Sequence, residues 1–135
     1  LVGSEMCIRD RCTEEIDKTN AEFERVLGHP AAIVRPPYGF YNDTVRRNVP
    51  YPLVLWTVDT NDWKPRNASE LADAVVKAAE DGSVILMHDQ QSSTADAMDA
   101  IIPALVAKGF RFVTVSELIE ATDGACKAIK MPGDG

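Results

Sequence analysis

The chain of 135 residues is 45% hydrophobic, enough for one domain with a buried core, and its 14 Lys and Arg against 21 Asp and Glu leave a net charge of -7. That surplus of negative charge repels a phosphate backbone, so no nucleic acid partner is expected. The longest apolar runs, residues 53–56 and 84–87, fall far short of the roughly 20 residues that cross a bilayer, and no membrane segment is expected either.

Residues 1–12, LVGSEMCIRDRC, have neither helical nor strand period and resemble a translated adapter peptide, so they are expected to be a non-native or disordered leader. From Thr13 a helix is expected: Thr13 as N-cap, Glu14 and Glu15 at the positive end of the dipole, Ile16, Phe23, Val26 and Leu27 on one face, and Gly28 as the stop. Residues 31–35 read as a short strand halted by Pro36 and Pro37. Residues 53–59, LVLWTVD, are β-branched and aromatic and read as one buried strand. Ser69 then caps a helix with Leu71, Val75 and Ala78 on one face and Gly82 at its end. Residues 83–87 form the next strand. A helix follows with Met98, Ile101, Leu105 and Val106 inward, bent by Pro103 and ended by Gly109. Residues 110–115, FRFVTV, read as a strand, Ser116 opens a last short helix, and residues 122–135, with three glycines and Pro132, read as a flexible tail. Cys7, Cys12 and Cys126 are odd in number and define neither a disulfide framework nor a metal site.

Strand and helix alternate, which implies an α/β fold with a parallel sheet or barrel of βα units. On that topology Arg35, Asp59 and the His88–Asp89 pair all fall at strand ends. The carboxyl edge of parallel strands is where loops converge and sites are built. Each residue also has a plainer reading: His88 as a hydrogen-bonded histidine, RPPYGFYND as a proline-rich turn with Gly39 supplying a positive φ, and DTNDW as a solvated loop with Trp63 packed on its rim.

Three segments, RPPYG (35–39), DTNDW (59–63) and ILMHD (85–89), resemble in order and spacing the third, fourth and fifth motifs of the polysaccharide deacetylases with the NodB homology domain, carbohydrate esterase family four. More narrowly, the chain resembles the bacterial peptidoglycan N-acetylglucosamine deacetylases from about Thr13 to Ala121. The resemblance implies a partial, distorted (β/α) barrel, the C-terminal half of the NodB-type domain, over residues 13–121. It implies that His88 is the general acid that protonates the leaving amine, that Asp62 pairs with it, and that Arg35 orients the catalytic aspartate of the family. It also implies that Pro37 and Tyr38 form a wall of the substrate groove, with the Tyr38 N–H toward the oxyanion, and that Trp63 and Leu86 line the acetyl pocket.

The chemistry is consistent with those roles. An amide has a poor leaving group, and its hydrolysis needs an activated water, donors for the oxyanion and a proton for the departing nitrogen. A histidine, which changes charge near neutral pH, suits the last task. The family's first motif, T-F-D-D-G-like, and its second, H-x-x-x-H-like, are absent from these 135 residues, and the other histidine, His29, stands in a GHP loop. No metal ligands are therefore assigned here, whereas a divalent, zinc-like metal is expected for the full-length family member. The resemblance further implies a glycan partner, a GlcNAc polymer, and an extracellular or cell-envelope location. On this reading the full-length protein removes N-acetyl groups from peptidoglycan or a chitin-like glycan, and these residues alone are inactive. The alternatives are a non-catalytic glycan-binding module using Trp63 and Tyr38, or a deacetylase of another substrate such as acetylxylan. Gln91 stands where close relatives often carry a histidine, a difference that bears on a substrate contact.

Overall fold

The computed structural model describes residues 2–64 and 67–132. They form two compact units, one made by the chain up to Leu55 together with the segment from Ile129 on, the other by Trp56–Ala128. Each is described by itself.

The first unit begins with α1, Val2–Leu27. The expected start at Thr13 is thus corrected: residues 2–12 are helical rather than a disordered leader, and Thr13 lies inside the helix. No proline interrupts residues 2–27, and extending a helix already nucleated fixes one residue per hydrogen bond gained, which costs far less than starting one. Gly28 closes α1 as expected, in the left-handed region at φ 79°, with its N–H donating to the Glu24 carbonyl at 3.0 Å. Asn20, 9% exposed, ties the helix to the chain that follows. Its Nδ2 donates to the Tyr51 hydroxyl at 2.6 Å, and its Oδ1 accepts the Ala31 N–H at 3.1 Å.

The strand expected over residues 31–35 contracts to a single parallel bridge between Val34 and Leu53, because Pro36 and Pro37 have no N–H with which to extend a ladder. A 3-10 turn, Pro37–Gly39, and α2, Asp43–Asn48, follow. Residues 53–59 are not one strand. The chain passes from the first unit to the second after Leu55, and each half pairs with a different partner. β1, Leu53–Val54, pairs antiparallel with β4, Ile129–Lys130, while β2, Val58–Asp59, pairs in parallel with β3, Ile85–Leu86. The expected tail is likewise corrected, since Ile129 is 3% exposed against β1 and Cys126 and Ala128 are buried in the second unit. Its glycines Gly133 and Gly135 lie outside the described residues.

In the second unit β2, α3 (Ala68–Ala78) and β3 form a βαβ crossover, followed by α4 (Ser92–Ala107) and α5 (Val115–Ala121). The cap of α3 is Asn67, not Ser69: its side chain accepts the Glu70 N–H at 2.8 Å. Leu71, Ala72 and Val75 of α3 pack on Ala97, Ile101 and Leu105 of α4, with Ile85, Met87 and Phe110 against the same core. Ala78 and Val106, expected on these faces, point outward. The 100° turn per residue carries them past the contact, where Ala79 faces the core instead. Pro103 lies on the exposed side of α4, and the helix continues through it. Phe110 and Gly109 N–H groups then donate to the Leu105 and Val106 carbonyls, a Schellman ending with Gly109 at φ 90°.

Residues 110–114 make no strand among the described residues, and Phe112 and Val113 are exposed. β-branched and aromatic residues favour a strand only when a neighbouring ladder accepts it, and none is in register here. The last helix is capped by Thr114 rather than opened by Ser116, through a reciprocal capping box with Glu117. The expected α/β class holds as a mixture of helices with one parallel and one antiparallel two-stranded sheet; a closed barrel is not formed by the described residues.

Candidate active site

The parallel register of β2 and β3, with Val58 opposite Ile85 and Asp59 opposite Leu86, makes the chain leave both strands at the same edge. Asp62 follows β2 by three residues and His88 follows β3 by two. A turn after β2 sends Asp62 back into the unit: Asp59 Oδ1 accepts the Asn61 N–H at 2.9 Å, and Asn61 takes φ 49°, which asparagine tolerates better than most residues. The Thr60 hydroxyl donates to the Leu86 carbonyl at 2.8 Å, pinning this turn to the end of β3.

Asp62 is 1% exposed, and its carboxylate is fully engaged. Oδ1 lies 2.6 Å from His88 Nδ1. Oδ2 accepts the His88 backbone N–H at 2.6 Å and the Thr94 hydroxyl at 2.7 Å. Burial pushes the Asp62 carboxyl up, but the hydrogen bonds from the His88 ring, the Thr94 hydroxyl and the His88 N–H, with the attraction of a protonated His88 ring, outweigh it and hold the group at about 2. Asp62 is therefore ionised at neutral pH. A carboxylate can only accept, so Nδ1 must carry the hydrogen in this pair, and Nε2 is left to take up and release a proton. The His88 side chain is 42% exposed while that of Asp62 is wholly buried, a fixed acceptor behind a reachable ring.

Alternation along β3 sorts its neighbours. Ile85 and Met87 face the helical core, so Leu86 between them points to the opposite face. A cleft of about 1100 Å³ in this unit opens on the Ile85 and Met87 side and is not lined by His88, Leu86 or Trp63. Trp63 is 58% exposed, with the Lys64 ammonium 4.9 Å from its ring centroid.

Arg35, Pro37 and Tyr38 belong to the first unit. Arg35 donates through Nε to the Val54 carbonyl at 3.3 Å and through a terminal nitrogen to the Leu55 carbonyl at 3.5 Å, so it braces the end of β1. Pro37 and Tyr38 are exposed. Tyr38 itself stands in the left-handed region at φ 56°, beside Gly39 at φ 71°. The positive φ assigned to Gly39 alone thus extends to an aromatic residue, where it stores strain. The Tyr38 ring, 88% exposed, pairs with Phe40 at 6.4 Å between centroids.

No group of three His, Cys, Asp or Glu residues comes together to hold a metal ion among the described residues. His29 lies in the first unit with its Nδ1 3.0 Å from the Pro30 carbonyl, and His88 has one ring nitrogen committed to Asp62. The donor set of these residues does not fit a divalent metal site. Sequence reasoning also missed Thr94. Thirty-two residues separate it from Asp62, and a threonine in the first turn of a helix reads as capping chemistry.

The sequence model of the polysaccharide deacetylase family matches residues 5–51. Over 107 residues the chain is 42% identical to the peptidoglycan-N-acetylmuramic acid deacetylase PdaC of Bacillus subtilis, covering 79% of this chain and 23% of PdaC. It is 38% identical to the peptidoglycan-N-acetylglucosamine deacetylase PgdA of Listeria monocytogenes, covering 77% of this chain and 22% of that protein. The solved structure of PdaC superposes with a TM-score of 0.74 at 39% identity, over 85% of this chain and 57% of that one. A family 4 acetyl xylan esterase from Clostridium thermocellum, solved with a cobalt ion, superposes with a TM-score of 0.73 at 35% identity, over 85% of this chain and 58% of that one. The chain thus spans about a fifth of the length of these two peptidoglycan deacetylases. Motif order, strand-end geometry and these similarities agree, and the chain belongs to the polysaccharide deacetylase family, whose members are hydrolases.

Proposed function

We propose that this chain supplies the proton-donating side of an N-deacetylase acting on the amino sugars of peptidoglycan or a chitin-like glycan. The observation that carries this reading is the buried Asp62 holding His88 at the shared edge of β2 and β3. In the reaction, water gives a proton to the general base expected in this family as it adds to the acetyl carbonyl, the C–N bond breaks, acetate leaves, and the sugar nitrogen departs with a proton from His88 Nε2. Asp62 keeps the ring in the tautomer that makes this transfer possible and steadies the charged imidazolium. Leu86 and Trp63 form the apolar wall for the acetyl methyl. The resemblance to the family, rather than any geometry of the first unit, assigns Pro37 and Tyr38 to the wall of the substrate groove, the Tyr38 N–H to the oxyanion and Arg35 to orienting the general base.

The base and the divalent metal expected in this family have no residues here to carry them, so the 135 residues alone release no acetate. The fold that supports this chemistry is a distorted (β/α) barrel of which these residues make a part. The peptidoglycan relatives favour a glycan partner and a cell-envelope location. Their names divide between N-acetylmuramic acid and N-acetylglucosamine, and we favour N-acetylglucosamine. A second reading, acetylxylan as substrate, is favoured by the similarity to the acetyl xylan esterase.

A chimaera in which these residues replace the matching 107-residue stretch of PdaC tests the substrate. Acetate released from peptidoglycan and from acetylxylan is measured side by side. Release from peptidoglycan at a kcat/KM at least tenfold above that from acetylxylan is expected; the reverse preference would replace the first reading by the second.

A further inference from the structure

We infer that Thr94 is a positioning residue for the Asp62–His88 pair, the third anchor that fixes the carboxylate and through it the orientation and tautomer of the His88 ring. The inference rests on the reading of His88 as proton donor, and its geometry stands apart from that reading. Asp62 touches His88 twice, through the ring at Oδ1 and through the backbone N–H at Oδ2. Two contacts to one residue leave the carboxylate free to pivot with that residue's loop. The Thr94 hydroxyl, 2.7 Å from Oδ2, comes from a different element, the first turn of α4.

That turn is itself held. The Thr94 N–H donates to the Gln91 carbonyl at 3.1 Å, and along the same helix Ala97, one turn on, and Ile101, two turns on, are locked in the core. Thr94 is 5% exposed, so water does not replace its hydroxyl readily. A β-branched side chain has few χ1 choices, and a hydroxyl donated to an ionised carboxylate is stronger than one donated to a neutral acceptor. The consequence runs through Asp62: with both oxygens satisfied in fixed directions, Oδ1 accepts only from Nδ1, and Nε2 keeps a constant direction toward the open side.

The test is made on this chain by nuclear magnetic resonance, following the ring nitrogens of neutral His88 for its tautomer and the Asp62 carboxyl carbon for its titration. Two variants are compared, Thr94→Val, which keeps the shape and removes the donor, and Thr94→Ser, which keeps the donor. In Thr94→Val the His88 ring is expected to lose its single Nδ1–H tautomer, and the Asp62 midpoint to rise from about 2 toward the ordinary 3.8; Thr94→Ser is expected to retain both. A valine variant with the tautomer and midpoint unchanged overturns the inference. If the valine variant does not fold, the serine variant decides: a mixed tautomer there overturns it, and a retained one supports it. Activity is read separately in the PdaC chimaera. Loss of kcat with KM held in Thr94→Val, recovered in Thr94→Ser, supports the inference. Full activity of His88→Gln in the same chimaera would remove the proton-donor reading and leave the anchoring role of Thr94 standing on the resonance data.

Discussion

Asp62 is a buried carboxylate whose solvation is entirely protein, and that makes it a source of pH-dependent stability. Its folded value of about 2 lies below the ordinary 3.8, so the folded state binds the proton less readily than the unfolded chain. The contribution is therefore fully present above about 3.8 and is lost as pH falls through about 2. A displacement of that size corresponds to roughly 2 kcal/mol. Asp62→Asn should unfold at a lower urea concentration than the parent at neutral pH, with the difference narrowing as the solution is acidified. A difference that does not change with pH would mean that the carboxylate charge contributes nothing. At this scale Asp62 and His88 were legible in the sequence because both follow parallel strands and fall in motif segments. Thr94 was not, since its partner is set by how α4 docks beside the β2 turn, which no local pattern encodes. Tyr38 in the left-handed region was hidden for a related reason: the adjacent Gly39 was the natural place to put a positive φ.

At the scale of elements, short strands and caps decide the architecture. Asn67 and Thr114 each satisfy a backbone N–H at a helix start. Asn67→Ala is expected to cost about 1 kcal/mol, read as a lower urea midpoint with the slope unchanged. Ile129, 3% exposed on β4, should cost about 2–5 kcal/mol when cut to alanine, and a near-neutral Ile129→Ala would show that β4 is not part of the core. The helices α3 and α4 were readable from their apolar spacing, because that spacing is what packs them together. The strands were less so. LVLWTVD has one continuous composition yet serves two sheets, and FRFVTV has strand composition with no ladder to join. The segment around Ile129 pairs with β1 although its polar, glycine-bearing neighbours read as a tail. Strand pairing is a long-range property, and composition reports only whether a segment could take part.

At the scale of the molecule, the family, the alternating α/β character and the grouping of polar residues beyond strand ends were accessible from sequence, since motif order survives without any knowledge of packing. The division into two units was not, because it falls inside an apolar run. No helix among the described residues is long and apolar enough to cross a membrane. The chain taken alone should release no acetate from N-acetylated peptidoglycan, whereas the PdaC chimaera should; acetate release by the 135 residues themselves would mean that a base and a water-activating group lie within them after all.

The most direct test of the proton-donor role is the kcat of the chimaera with and without His88→Gln, measured as acetate release from peptidoglycan at saturating substrate. Glutamine keeps a polar side chain of similar reach and cannot deliver a proton to the leaving nitrogen. A fall in kcat of about 100-fold or more, with KM little changed, is expected for loss of a general acid. A His88→Gln chimaera that turns over as fast as its parent would contradict the role given to the Asp62–His88 pair.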